Sequence, residues 1–128
     1  MLLAALPAKY FRDMSRFKRL QVLNTFVGTR IVPLFYNKDA ELVKNVVKAC
    51  YQGGARVFEF TNRGDYAHEV FAEVNKWCAT ECPEMIMGVG SVSDPATAAL
   101  YIQLGAGFIV SPSLNPDMAK ICNRRKIA

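Results

Sequence analysis

The sequence predicts an α/β fold in which strands and helices alternate. Short runs of β-branched and aromatic residues recur along the chain, and stretches with helical periodicity separate them. Each run is nearly continuously apolar at its start, which is typical of strands covered on both faces. The runs are IVPLFY (31–36), RVFEFT (56–61), MIMGVGS (85–91) and FIVSPS (108–113).

The helical stretches are bounded by residues that suit helix ends. Asp39 and Asp94 are predicted N-caps, and Pro95 suits a first helical position. Gly53 and Gly105 are predicted to end their helices in the left-handed conformation. The predicted helices cover 39–52, 66–78 or a little beyond, and 95–104.

An internal repeat limits the possible architectures. The segments ACYQGGARVFEFT (49–61) and YIQLGAGFIVSPS (101–113) align without gaps, so that Glu59 falls opposite Ser111. Such a repeat is typical of a (βα)n fold, either a closed barrel or an open doubly wound sheet. No glycine-rich nucleotide-binding loop follows any run, which favours the (βα)8, or TIM, barrel.

The length of the chain allows only part of such a barrel. Eight βα units need at least about 200 residues, whereas this sequence has 128 and four predicted strands. We therefore expect an N-terminal half barrel of about four βα units that is truncated before the fifth strand. A half barrel leaves strand edges exposed, so we expect the fragment to self-associate.

Composition limits the partners. With 52% hydrophobic and 21% charged residues the chain is globular. No run approaches the roughly 18 apolar residues of a membrane span, and we expect a cytoplasmic protein. A net charge of +5 favours an anionic partner, either nucleic acid or a small acidic metabolite. No nucleic-acid-binding motif is present, so nucleic acid is not expected.

Cysteine and histidine spacing gives no metal motif. The four cysteines are Cys50, Cys78, Cys82 and Cys122, and the single histidine is His68. Zinc sites require two close pairs of ligands or further histidines. Reduced thiols are expected, with no metal and no cofactor.

Polar residues cluster at the predicted carboxyl ends of the strands, where (βα)8 enzymes carry their chemistry. Glu59 stands in an apolar strand, and alternation places it on the face opposite Phe58 and Phe60. A carboxylate among apolar neighbours can act as a general acid or base, and Arg63 can bind a substrate carboxylate. Alternatively, Glu59 and Arg63 satisfy each other as an ion pair. The spacing leaves both interpretations open.

Four segments carry a family resemblance: VPLFY, GGARVFEFTNRGD, IMGVGSV and FIVSPSLNP. They resemble the N-terminal half of the 2-dehydro-3-deoxy-6-phosphogluconate aldolases, also named 4-hydroxy-2-oxoglutarate aldolases. The resemblance implies a class I aldolase on a homotrimeric (βα)8 barrel that releases pyruvate from a phosphorylated 2-keto acid. It covers residues 14–128 and begins with a helix over the barrel floor. Residues 1–13 match nothing in the family and are expected to be an extension.

The resemblance also implies roles for site residues. Glu59 corresponds to the proton-transferring glutamate, and Arg63 to the residue that binds the 2-keto acid carboxylate. Ser91 stands where the family has a substrate-contacting threonine. Pro112 corresponds to a proline that lines the pyruvate site, although Ser113 replaces the glycine that usually follows.

The Schiff-base lysine of the family lies on the sixth strand, outside these residues, and its phosphate site lies later still. None of the lysines present falls at the catalytic end of a predicted strand. Without an amine nucleophile there is no imine. We therefore expect this chain by itself to be inactive as an aldolase. The alternative is an inactive half barrel that acts as an oligomerising module.

Overall fold

The computed structural model describes residues 15–128. The predicted extension, residues 1–13, lies outside the described residues. The described part contains a parallel sheet in the order β1-β2-β3. Its strands are β1 (Leu34–Phe35), β2 (Val57–Thr61) and β3 (Ile86–Gly90). Its helices are α1 (Arg19–Thr29), α2 (Ala40–Gln52), α3 (Ala67–Glu81), α4 (Pro95–Gln103) and α5 (Pro116–Arg125).

The fourth predicted strand is reduced to a single parallel bridge between Val89 and Ile109. Hydrogen bonds still align it with β3, since the Val110 amide donates to the Val89 carbonyl at 2.8 Å. Extended pairing ends at Ser111, whose hydroxyl donates to the Ser113 carbonyl at 2.6 Å, and Pro112 has no amide to donate. The predicted order of four runs is thus confirmed. The predicted lengths of the first and fourth runs are wrong, since β1 covers only two of six residues and the fourth run forms only a bridge.

The helix ends follow the predicted chemistry with one exception. The Asp39 carboxylate accepts from the backbone of the first turn of α2, and Asp94 accepts from the Thr97 amide at 2.8 Å. Gly105 has a φ of +92° and ends α4 as predicted. Gly53 is right-handed with a φ of −73°, and Gly54 adopts the left-handed conformation at +99°. The prediction for Gly53 is therefore wrong by one residue.

Helix α5 was not among the predicted helices. Its N-cap, Asn115, accepts from the amides of Asp117 and Met118 at 3.1 Å, and Pro116 occupies the first turn. The pair Asn115-Pro116 repeats the Asp-Pro signal that begins α4. The same cue would therefore have revealed this helix.

The main core lies between the sheet and the helices. Phe58 and Phe60 of β2 are fully buried there, together with Val47 of α2 and Phe71 of α3. The two phenylalanines face the helices, as predicted from strand alternation. The opposite face of β2 is therefore the inner face, which in a barrel would line the interior.

A second, smaller core fills the amino-terminal part of this inner face. It consists of Val57, Ile86, Phe108 and Val22, the last contributed by α1. A Cβ at Gly88 would overlap the Phe108 ring, so glycine makes room for this ring against β3. Helix α1 thus covers the floor beneath the sheet, as the resemblance implied.

The last residues of the chain lie beside the fourth run. The Ile109 amide donates to the Ala128 carbonyl at 3.0 Å, and the Arg19 guanidinium donates to the Ile127 carbonyl at 2.9 Å. Ala128 is therefore hydrogen-bonded to the fourth run. At the opposite edge, Leu34 of β1 is 65% exposed.

Within residues 15–128, none of the helices combines the length and the apolar character that crossing a bilayer requires.

Candidate active site

The four predicted site residues lie in strands or directly after them, toward one rim of the sheet. Glu59 lies in β2, Arg63 follows that strand, Ser91 follows β3, and Pro112 lies near the end of the fourth run, after its bridge to β3. Because the strands are parallel, their carboxyl ends meet at this rim. The sheet therefore brings the four backbone positions to the same end of the fold.

Glu59 lies on the inner face against β3. A Cβ at Gly90 would overlap the Glu59 carboxylate oxygen Oε1 and would lie 2.8 Å from Cβ of Val110. Glycine at position 90 therefore leaves the space that the carboxylate occupies. Glu59 takes its place above the small core, toward the carboxyl ends of the strands.

The Glu59 carboxylate is partly desolvated. No hydrogen bond or ion pair to it is formed by residues 15–128. Burial raises its pKa above the ordinary value of 4.5. A carboxyl group with a raised pKa is better suited to accept and return a proton near neutral pH.

Arg63 does not neutralise Glu59. The side chain of Arg63 is exposed, and none of the ion pairs in the described part of the chain joins it to Glu59. The structure therefore does not form the ion pair that the spacing had allowed. The guanidinium is left on the surface, where it can bind an anion.

Ser91 and Pro112 are both exposed at the rim. The Ser91 carbonyl accepts a long hydrogen bond, 3.5 Å, from the amide group of Asn62. Between residues 15 and 128, no side-chain hydrogen bond joins Glu59, Arg63, Ser91 and Pro112 to one another. The structure brings these residues to one rim without connecting their side chains directly.

Sequence reasoning missed a residue at this rim. Asn62 lies between Thr61 and Arg63, and its side-chain oxygen accepts from the Tyr101 hydroxyl at 2.8 Å. Tyr101 belongs to α4 and is almost completely buried. Nothing in the local pattern signals a partner so far along the chain.

The lysines that the structure describes do not lie on strands. Lys44 of α2 forms ion pairs with Glu41 and Glu73 at 2.6 Å, and Lys120 of α5 pairs with Asp117 at 2.8 Å. The others in residues 15–128 belong to helices, helix ends or loops. In the same residues, no group of three histidine, cysteine or acidic side chains is arranged to hold a metal ion.

Comparison with known proteins decides the family. The family model for the KDPG and KHG aldolases matches residues 22–128. This chain belongs to the KDPG and KHG aldolase family. The resemblance stated from the sequence is thereby confirmed.

Curated KDPG and KHG aldolases align with this chain over part of their length. The 2-dehydro-3-deoxy-phosphogluconate aldolase of Pseudoalteromonas atlantica is 34% identical over 115 residues, which are 90% of this chain and 52% of the relative. The KHG/KDPG aldolase of Escherichia coli K12 is 34% identical over 90 residues, or 70% of this chain and 40% of the relative. The chain spans about half the length of the curated relatives it matches.

Solved aldolase structures agree with the fold. The 2-keto-3-deoxy-6-phospho-gluconate aldolase of Zymomonas mobilis has a TM-score of 0.65 at 28% identity, over 76% of this chain and 45% of that protein. The 4-hydroxy-2-oxoglutarate aldolase from TTHB1 has a TM-score of 0.70 at 24% identity, over 82% and 50%. The KDPG aldolase of Legionella pneumophila, 23% identical with a TM-score of 0.65 over 75% and 45%, was solved with pyruvate as a covalent carbinolamine. The half-barrel architecture predicted from the sequence is confirmed.

Proposed function

We propose that this chain is the N-terminal part of a class I aldolase that cleaves 2-keto-3-deoxy-6-phosphogluconate to pyruvate and glyceraldehyde 3-phosphate. The proposal rests above all on Glu59, a partly desolvated carboxylate on the inner face of the sheet in a member of this family. Residues 15–128 provide no hydrogen-bond or ion-pair partner for it. The complete protein would be a homotrimer of the cytoplasm, and its Schiff-base lysine would come from a part of the barrel outside these residues.

Glu59 would move protons beside the imine, at the C4 hydroxyl and at C3. When a lysine imine of the substrate is cleaved, the C4 hydroxyl loses its proton, the C3–C4 bond breaks and its electrons move into the imine as an enamine. A carboxylate near the reacting atoms can take that proton and later return one to C3. The raised pKa of Glu59 suits both directions of transfer.

Arg63 would hold the 2-keto acid by its carboxylate. A guanidinium binds a carboxylate through two parallel hydrogen bonds, which fixes the orientation as well as the position of the substrate. The Ser91 hydroxyl would donate to a substrate oxygen, and Pro112 would form an apolar wall of the pyruvate site. All three are exposed at the rim and leave their surfaces available.

The second candidate function is a half barrel that oligomerises without catalysis. The exposed apolar edge favours it, since Leu34 in β1 is 65% exposed and Ile31, three residues earlier, is 68% exposed. A short parallel edge of this kind can pair with another chain.

Borohydride trapping separates these functions. The chain would be treated with pyruvate and borohydride, by itself and after co-expression with the second half of the Escherichia coli KHG/KDPG aldolase, and analysed by intact mass. We expect no adduct on this chain and an adduct on the completing half. Exchange of the pyruvate methyl protons with deuterated water should then fall strongly in Glu59→Gln and stay unchanged in Glu69→Gln, a matched loss of charge on the exposed side of α3.

Any of three results would contradict the proposal. An adduct on this chain alone would show that it carries its own nucleophile. Undiminished methyl exchange in Glu59→Gln, with trapping intact, would remove Glu59 from the proton transfer. Complete absence of trapping in the assembled pair, with the two halves shown to associate, would favour the oligomerising module.

A further inference from the structure

Asn62 connects three elements at the rim. Its backbone amide donates to the Gly90 carbonyl at 2.5 Å, and its side-chain amide group reaches the Ser91 carbonyl at 3.5 Å. Its side-chain oxygen accepts from the Tyr101 hydroxyl at 2.8 Å. One residue thus links the end of β2, the end of β3 and the last turn of α4.

Tyr101 is a firm anchor for this link. Its side chain is 1% exposed, and its ring packs edge-on against Phe71 with centroids 5.2 Å apart. A buried hydroxyl requires a hydrogen-bond partner, and Asn62 provides it. Burial raises the pKa of Tyr101 to about 12, so the phenol keeps its proton and remains a donor at neutral pH.

A second tyrosine lies beneath the other side of the same loop. Gly64 has a φ of +81°, and a Cβ at this position would lie 2.8 Å from the Tyr36 hydroxyl oxygen. The Tyr36 ring packs against Phe60 of β2 at 5.7 Å. Arg63 therefore lies between Asn62, which is hydrogen-bonded to Tyr101 of the main core, and Gly64, which lies close to Tyr36 beside that core.

We infer that Asn62, held by the buried hydroxyl of Tyr101, is a positioning residue that fixes Arg63 and Ser91 for binding the 2-keto acid carboxylate. This inference rests on the proposed function. Asn62 precedes Arg63 directly and reaches the backbone of Ser91, so the Tyr101 bond holds both strand ends in one arrangement. It forms no hydrogen bond with Glu59 in the described residues, so we expect it to affect substrate binding and not proton transfer.

Loss of the Tyr101 hydroxyl would separate binding from proton transfer. In Tyr101→Phe the ring still packs against Phe71, but the Asn62 oxygen loses its donor. The strand ends would then have to be ordered when the substrate binds, which weakens binding without changing the groups that react. The half-saturating substrate concentration should rise while the maximal rate stays the same.

The test uses pyruvate and the assembled pair of halves described above. Tyr101→Phe, Asn62→Ala and the double variant would be compared by the pyruvate dependence of the borohydride trapping rate. We expect each single variant to raise the half-saturating pyruvate concentration about fivefold, the size expected of one hydrogen bond. The double variant should show no further increase, because both substitutions remove the same bond. Tyr51→Phe is the matched control, since its hydroxyl bonds Glu84 at 3.2 Å, away from the rim.

Three results would count against the inference. If the half-saturating pyruvate concentration changes no more than in Tyr51→Phe, Asn62 has no positioning role. The same conclusion follows if the maximal trapping rate falls while the half-saturating concentration stays unchanged. Failure of the unsubstituted pair to trap pyruvate would overturn the proposed function, and this inference with it. If Asn62→Ala does not fold, Tyr101→Phe decides alone, because it removes only one oxygen atom.

Discussion

The carboxylate of Glu59 in β2 lies over Gly90 of β3, in the space that a side chain at position 90 would occupy. The two strands are in parallel register there, with Glu59 opposite Gly88 and Thr61 opposite Gly90. Two glycines on the inner face of β3 therefore leave space for two different side chains. Gly88 makes room for the ring of Phe108, and Gly90 makes room for a titratable group.

Gly90→Ala should destabilise the chain and displace Glu59. The added methyl group would overlap Oε1 of Glu59 and approach Val110, so we expect the free energy of unfolding to fall by about 1–3 kcal/mol. Urea unfolding measures this loss. Gly28→Ala is the control, because no atom lies within 4 Å of a Cβ there, and it should be neutral or slightly stabilising. Equal stability of the two variants would contradict the close approach of Glu59 to β3.

Glu59→Gln should change how stability depends on pH. Burial raises the folded-state pKa of Glu59 above 4.5, so between the unfolded and folded values the folded chain holds more protons. The stability of the parent therefore falls as pH rises through this window, and the glutamine variant escapes that loss. We expect the variant to be the more stable of the two at neutral pH and to lose its advantage below pH 4.5.

Urea midpoints at a series of pH values measure the difference between parent and variant. Glu69→Gln, at an exposed position of α3, supplies the comparison for a simple loss of charge. A difference that grows toward low pH would reverse the sign and show that the fold stabilises the ionised form of Glu59.

Cys78 should resist alkylation in the folded chain. It is fully buried, and burial raises the pKa of its thiol to about 12, which leaves almost no reactive thiolate at neutral pH. Cys50 is only partly buried and should be modified first by iodoacetamide. Peptide mass spectrometry after short labelling, with and without urea, identifies the order. Labelling of Cys78 at the rate of Cys50 without urea would show that the main core opens readily.

Leu34→Lys should reduce self-association. Leu34 is 65% exposed on the edge strand β1, and a lysine on an edge opposes pairing with another chain. Sedimentation velocity should show a shift toward the monomer. Leu114→Lys is the control, because Leu114 is 87% exposed but lies in the loop before α5. If both substitutions shift the protein toward the monomer equally, the added positive charge, and not its place on the strand edge, reduces association.

The sequence contained the repeating strand-and-helix order, the helix caps and the orientation of β2, because each depends on neighbouring residues. Alternation alone placed Phe58 and Phe60 under the helices. The bond between Asn62 and Tyr101 was missed because it joins residues far apart in sequence. The left-handed residue after α2 is Gly54 and not the predicted Gly53, because either of two successive glycines can adopt this conformation. The roles of Glu59, Arg63, Ser91 and Pro112 remain predictions.

The hydrogen bond from Ile109 to Ala128 has a practical consequence for fluorescent or affinity reporters. A reporter fused directly after Ala128 would start alongside the fourth run, and its first residues would be able to form hydrogen bonds with that sheet edge. A Gly/Ser spacer allows the reporter to remain in solvent. Signals from spaced and unspaced fusions should therefore differ, and their difference would report how firmly this edge holds the polypeptide that follows.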